Sequence, residues 1–154
     1  MSLENVSNSS AHEEKPADVE ELLREGNNVS IKVRGYSMYP FLIPGKDSVI
    51  VEPVAGMDAF KRGEVLLYRR ATGLLVLHRV WKVKNDGLYF VGDNQMEIEG
   101  PLDRKQVIGR MVSFEKNGRY HDVSWAPYYI SSRVWLFLRP LRGSISRFIH
   151  KLKS

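Results

Sequence analysis

Three residues of this sequence have the chemical types needed to activate a serine hydroxyl: Ser37, His78 and Asp93. A serine hydroxyl is a poor nucleophile near neutral pH until a base takes its proton, and that base needs a third group to orient it. His78 lies in the run L-V-L-H-R-V and shares a strand face with Val76 and Val80, so we expect it to be partly buried and neutral. Taken singly, each residue is better explained by a structural role: Ser37 and Asp93 as turn residues and His78 as a histidine at the edge of the core.

The sequence gives less support to thiol, metal-dependent and α/β-hydrolase chemistry. The chain has no cysteine, which excludes a thiol nucleophile, a disulfide scaffold and cysteine zinc sites. The histidines have no metal-ligand spacing, so we predict neither a metal nor a cofactor. G-Y-S-M-Y, residues 35–39, lacks the final glycine of the nucleophile elbow found in α/β-hydrolases.

A predicted hairpin brings two of the candidates together. Asn85-Asp86-Gly87 separates two strand-like runs, and the Asp-Gly pair accepts the positive φ angles of a tight hairpin turn. Counting outward from this turn places His78 within reach of Asp93, which follows the second run. Asp93 would then hold the imidazole in the correct tautomer. Gly35 and Pro40 would present the Ser37 hydroxyl, through a flexible and a rigid backbone position respectively.

The remaining patterns predict a mainly β chain with helical ends. Pro16 to Gly26 has the start, periodicity and stop of a short helix that packs on the body. From Val29 to Trp125 alternating runs are separated by turn residues, including a second hairpin through Lys116-Asn117-Gly118. We therefore divide the chain into a leader with a short helix (1–28), a β-rich domain (29–125) and a basic amphipathic C-terminal segment (126–154).

The C-terminal segment carries the excess positive charge. The formal net charge is +5, and no acidic residue follows Asp122. Ser144 to Lys153 spaces Ile145, Phe148, Ile149 and Leu152 as one stripe of an amphipathic helix. Such a helix either lies in an anionic membrane surface, a role we assign to residues 134–153, or docks on the sheet.

The location follows from what the chain does not contain. Its first 16 residues have neither a basic segment nor an apolar one, so they do not predict a secretory signal. No apolar run approaches the roughly 18 residues of a membrane-spanning helix. We expect the protein in the cytoplasm or on the cytoplasmic face of a membrane.

Five motifs follow one another in order and register over about Val29 to Met111: G-Y-S-M-Y-P, P-G-K-D-S-V-I-V with K-R-G-E-V-L-L-Y, L-H-R-V, V-G-D-N and V-I-G-R-M. Together they resemble the type I signal peptidases. More narrowly, they are similar to the endoplasmic-reticulum and sporulation branch, in which histidine replaces the general-base lysine. The wider clan includes the self-cleaving LexA-like repressor peptidases, so the resemblance implies a LexA/signal-peptidase-like coiled β-sheet fold.

The resemblance also implies roles for single residues. Ser37 would be the nucleophile, His78 the general base and Asp93 the supporting acid, with backbone N–H groups around Ser37 forming the oxyanion hole. Met38 and Pro40 match the nucleophile motif, where they would shape the substrate groove. Some members carry a second acid after Gly-Asp-Asn, and Glu97 or Glu99 would stand there. The activity implied is serine endopeptidase cleavage of leader or signal peptides.

Two alternatives remain open. One is a non-catalytic β-barrel module whose basic tail binds nucleic acid or membrane, although the β region shows no basic stripe among its aromatic residues, which makes nucleic acid a weak candidate partner. The other is self-cleavage in the leader before Val29, in the manner of the repressor peptidases.

Overall fold

An antiparallel sheet of eight strands and three helices make up the described part of the chain. The structure is a computed structural model that describes residues 16–56 and 58–152. The helices are α1 (Pro16–Arg24), α2 (Ala126–Phe137) and α3 (Arg139–Leu152). The strands are β1 (Val29–Lys32), β2 (Ser48–Pro53), β3 (Val65–Arg69), β4 (Leu75–Lys84), β5 (Gly87–Val91), β6 (Glu99–Leu102), β7 (Val107–Lys116) and β8 (Arg119–Asp122). The predicted mainly β class is confirmed.

The sheet is open. Its order is β1-β2-β7-β3-β4-β5-β6, with β8 paired to β7, so β1 and β6 form opposite ends. Both predicted hairpins are confirmed: β4 pairs with β5 around Asp86, and β7 pairs with β8 around Asn117, whose φ of 53° fits a tight turn. Because the sheet does not close on itself, the fold is not the β-barrel that the alternative of a binding module assumed.

The central strand β3 is buried on both faces. Val65 and Leu67 pack in one apolar cluster with α1 and β2, whereas Leu66 and Tyr68 pack in a second cluster with Phe90. Successive strand residues point to opposite faces, so this strand needs apolar residues at nearly every position. The continuous run V-L-L-Y follows from that burial.

The N-terminal helix agrees with its sequence signals. Val19 and Leu23 of α1 are buried against the sheet, and Gly26 ends the helix with a φ of 89°. Leu22, which shares the predicted stripe, is 38% exposed. The predicted leader before Pro16 lies outside the described residues.

The C-terminal segment contains one helix more than predicted. α2 has no side-chain cap at Trp125 and begins with Pro127 in its first turn, so only the proline gave a weak signal. α3 confirms a helix over Ser144 to Leu152 and begins earlier, at Arg139. The side chains of residues 144–150, and with them most of the predicted apolar stripe, lie outside the described residues. Within the described chain, the helices are too short or too polar to cross a membrane.

Candidate active site

Ser37 lies in a tight turn between β1 and β2. Gly35 has a φ of 68°, a left-handed conformation that favours glycine, as the sequence predicted. The N–H of Tyr39 donates to the carbonyl of Tyr36 at 3.1 Å. The side chain of Met38 is 3% exposed, so it anchors the turn in the core and leaves Ser37 half-buried at the surface.

The backbone of this turn offers free donors. Among the described residues, the N–H groups of Ser37 and Met38 make no hydrogen bond, although their neighbours Tyr39 and Leu42 donate within the turn. Unpaired N–H groups beside a nucleophile are the donors that stabilise an oxyanion. Of the other two residues implied for this groove, Met38 is buried and Pro40 is exposed.

Gly92 is the meeting point of the serine turn and the histidine strand. The N–H of Asn94 donates to the carbonyl of Ser37 at 2.8 Å, and a Cβ atom on Gly92 would lie 2.7 Å from that carbonyl oxygen. Arg79 pairs with Val91, so the register continued by one residue places Gly92 opposite His78. The missing side chain at Gly92 lets the serine turn approach the face that carries His78. Among the described residues, no hydrogen bond joins Ser37 Oγ to His78.

The imidazole of His78 is buried and neutral. It is 5% exposed, which confirms the predicted burial. Burial lowers its pKa to about 4, against an opposing effect of the negative charge of Glu99; Arg70 lowers the pKa further and Asp93 raises it. At neutral pH the ring therefore has a lone pair available to accept a proton.

A chain of hydrogen bonds orients the imidazole. Nδ1 of His78 lies 3.2 Å from Tyr68 Oη, which donates to Glu99 Oε2 at 2.7 Å. Arg70 binds the same carboxylate through two nitrogens, at 2.7 and 2.8 Å. The hydrogen bonds from Arg70 are the main reason that the pKa of Glu99 is lowered, so this carboxylate is ionised.

The tautomer of His78 follows from this network. An ionised carboxylate only accepts hydrogen bonds, so the single phenolic proton of Tyr68 points to Glu99. The phenolic oxygen can then only accept from His78, which assigns the imidazole proton to Nδ1. Nε2 is left as the proton acceptor. This is the tautomer that a general base for a serine requires.

Replacing Tyr68 with phenylalanine tests this network. The ring stacks on Phe90, with centroids 4.3 Å apart, and phenylalanine keeps that packing while removing the oxygen that fixes the tautomer. We expect the kcat of any Ser37-dependent reaction to fall by about 10²-fold with little change in KM. Tyr89→Phe, which removes an exposed hydrogen bond to Asp86, is the matched control and should leave kcat unchanged. An unchanged kcat in Tyr68→Phe would exclude a positioning role for Tyr68.

Asp93 binds Arg79 instead of His78. Its two carboxylate oxygens each accept from Arg79 at 2.7 Å, and both side chains are 1% exposed. The predicted hydrogen bond from the imidazole to Asp93 is absent among the described residues, and Asp93 acts on His78 through its charge. The reason is a β-bulge at Trp81, which shifts the pairing of β4 with β5 by one residue. Without it His78 would lie opposite Asp93.

The Arg79–Asp93 pair connects several elements. Arg79 also donates to the carbonyl of Gly63 at 2.8 Å and to Tyr128 Oη of α2 at 3.2 Å. Burial alone would lower the pKa of the guanidinium, but the interactions with Tyr128 and Asp93 outweigh it and raise that pKa. The Arg79–Asp93 salt bridge is therefore a buried structural contact next to the candidate site.

The C-terminal helices hold the loop that contacts Ser37. Trp135 of α2 donates through Nε1 to the carbonyl of Asp93 at 2.7 Å, and Arg142 of α3 donates to the same oxygen. The next residue, Asn94, donates to Ser37. α2 and α3 thus help to fix the position of the serine turn.

Sequence reasoning did not assign Tyr68, Arg70 or Arg79. An arginine within an apolar strand is a signal, because a buried charge needs a partner. Of the two acids proposed as a second acid, Glu99 joins the histidine network and Glu97 is exposed. In the described residues no group of three His, Asp or Glu side chains is arranged to hold a metal ion.

Neither protein-family models nor curated proteins provide a relative from which to transfer a role. No protein-family model matches the chain. A search among curated proteins gives no significant match either. The assignment of function therefore depends on the residues and their geometry.

Proposed function

We propose that this protein is a serine endopeptidase of the type I signal peptidase kind, in its Ser/His branch, with the corresponding LexA/signal-peptidase-like coiled-sheet fold. One observation carries the proposal: the turn of Ser37 and the buried, neutral His78 approach each other across Gly92, and His78 is held through Nδ1 by Tyr68. The five sequence motifs provide independent support.

The proposed reaction has two steps. Ser37 Oγ attacks the peptide carbonyl while His78 Nε2 takes its proton, and the N–H groups of Ser37 and Met38 stabilise the oxyanion. The imidazolium then gives its proton to the leaving amine, which leaves an acyl-enzyme on Ser37. In the second step His78 takes a proton from water, and the resulting hydroxide attacks the ester carbonyl. The bond to Ser37 Oγ then breaks, the imidazolium returns its proton to that oxygen, and the peptide acid leaves. Tyr68 and Glu99 stabilise the charged imidazolium in both steps.

The substrate we propose is an extended leader or signal peptide. β1 is an end strand of the sheet and leads into the turn of Ser37, so a peptide added to its free edge would run toward the nucleophile. Small side chains at the cleaved bond are implied by the family resemblance.

A panel of unstructured peptides that contain Ala, Ser and Gly tests the proposal. We expect wild-type protein to cleave after small residues, with the new ends mapped by mass spectrometry. Ser124→Ala, at an exposed serine after β8 and away from the proposed peptide-binding strand, is the matched control and should cleave the same bonds. Ser37→Ala should not cleave them. Absence of cleavage by wild-type protein, or cleavage that persists in Ser37→Ala, would contradict the proposal.

A further inference from the structure

Arg62 and Arg139 lie on the same tryptophan. Their Cζ atoms are 4.5 and 5.1 Å from the centroid of the Trp81 ring. Arg133 donates to the backbone carbonyl of Arg62. The bulge at Trp81, the turn before β3 and the junction of α2 with α3 therefore meet at one place on the surface.

Arg142 extends this group. Its Cζ lies 4.7 Å from the centroid of the Trp135 ring, and the charge of Arg139 acts on Arg142 across the junction. We call Arg62, Arg133, Arg139 and Arg142 the arginine cluster. It consists of four positive charges held in place by aromatic rings and backbone carbonyls.

The arginine cluster has no carboxylate partner. Among the described residues, none of its four side chains forms an ion pair. The Nε atoms of Arg133, Arg139 and Arg142 are buried and make no hydrogen bond there, and Arg139 is only 7% exposed. Burial lowers the pKa of Arg139. Burial, followed by repulsion from Arg139, also lowers the pKa of Arg142, against an opposing effect of the negative charge of Asp93. Asp93 acts on Arg142 through its charge but is already bound by Arg79, so the cluster keeps a net positive charge. A buried or half-buried cation without a partner of its own is costly, so this arrangement favours an anion.

The chemistry of the cluster favours a phosphate group. Guanidinium groups present planar forks of N–H donors that match phosphate oxygens, and several such forks at one place select for that geometry over a single carboxylate. No acidic residue of the sequence follows Asp122, so neither α2 nor α3 has a carboxylate to repel the anion.

An exposed apolar stripe adjoins the cluster. Ile130, Val134, Phe137 and Leu141 follow helical spacing along α2 into α3 and are between 51% and 75% exposed. Arg133 lies one turn before Phe137, so the stripe and the cluster are neighbours. A free phosphate ester would need only the arginines. An apolar stripe beside them fits a phosphate that is attached to acyl chains.

We propose that the arginine cluster binds the phosphate groups of anionic phospholipids while the stripe of α2 enters the membrane interface. The inference goes beyond the proposed peptidase activity and does not depend on it, because binding is measured without substrate. It adds a stripe in α2 to the one that the sequence predicts in α3, most of whose side chains lie outside the described residues. The cluster contacts the candidate site through Arg142, which donates to the backbone carbonyl of Asp93. The next residue, Asn94, donates to the backbone carbonyl of Ser37.

Sedimentation with vesicles tests the inference. Wild-type protein should bind phosphatidylcholine vesicles that contain phosphatidylglycerol and should not bind phosphatidylcholine alone. Arg139→Gln combined with Arg142→Gln should weaken binding by about 10- to 30-fold, since each basic residue at an anionic surface strengthens binding by about three- to fivefold. Lys46→Gln with Lys105→Gln, two exposed lysines elsewhere on the surface, removes the same charge and should weaken binding less than about threefold.

Two single variants keep the test valid if the buried arginines are needed for folding. Phe137→Ser and Arg62→Gln change exposed side chains, so circular dichroism should show an intact fold, and both should bind anionic vesicles more weakly than wild type. Equal binding to both vesicle types, or equal losses in the arginine and lysine pairs, would overturn the proposal. Arginine-dependent binding of glycerol 1-phosphate or of single-stranded oligonucleotides without vesicle binding would overturn the lipid assignment.

Discussion

Replacing His78 with alanine should lower the kcat/KM for a cleaved peptide by about 10³-fold or more. A serine hydroxyl without a base is almost entirely protonated at neutral pH, and general-base catalysis contributes roughly 10²- to 10⁴-fold. Ser37→Ala should cause a loss at least as large. His121→Ala, at a histidine that stacks on Trp125 away from the site, is the matched control and should keep the wild-type rate.

A double variant that combines Ser37→Ala with His78→Ala is more informative than either single variant. If Ser37 and His78 act as one unit, the double variant should be no slower than Ser37→Ala, because the base has no further role once its nucleophile is gone. Losses that multiply in the double variant would show that the two residues act independently. That result would exclude the proposed pair even if each single variant were slow.

Replacing Arg79 with leucine should have the largest effect on stability. It leaves the carboxylate of Asp93 buried without its bidentate partner and also removes the contacts to Gly63 and Tyr128. Breaking a buried ion pair costs about 3–5 kcal/mol of unfolding free energy, which lowers Tm by about 10 °C in a chain of this size. Urea unfolding measures the loss.

The matched control is Arg24→Leu, at an exposed arginine paired with Glu20, which should cost less than about 1 kcal/mol. Asp93→Asn should also lower stability, because it leaves Arg79 with an incomplete partner. A loss below about 1 kcal/mol in Arg79→Leu would contradict the structural role of the pair. Full stability of Asp93→Asn with a strongly reduced kcat would instead favour a direct role for Asp93 on His78.

Local signals predicted the parts of the site that depend on local structure. Asn85-Asp86-Gly87 predicted the β4–β5 hairpin, although the turn residues are Asn85 and Asp86 and, of the three residues, only Gly87 has a positive φ angle. The position of His78 in an apolar strand predicted its burial. The positive φ angle of Gly35 follows from its place before the serine turn. Each of these features depends on a few consecutive residues, so a single sequence contains the information.

The partner of the histidine was not predictable in the same way. The bulge at Trp81 places Gly92 instead of Asp93 opposite His78. The residue types in W-K-V do not predict a bulge, so the register could not be predicted from the sequence. Tyr68 and Glu99 reach the histidine from two other strands, so their contact requires the long-range pairing of β3 with β4 and of β5 with β6. The predicted supporting acid was thus placed one residue out of register.

The pH dependence of peptide cleavage tests the central claim most directly, because kcat/KM reports the ionisation of the free enzyme's base. The pKa of His78 is lowered in the folded protein, so the active neutral form persists as the pH falls below the ordinary histidine value of about 6.5. It is lost only as the pH passes through about 4. We predict a constant kcat/KM from about pH 8 to 5 and a decrease with a midpoint near pH 4. A midpoint near 6.5, or cleavage that does not depend on pH in this range, would contradict a buried, neutral His78 as the general base of Ser37.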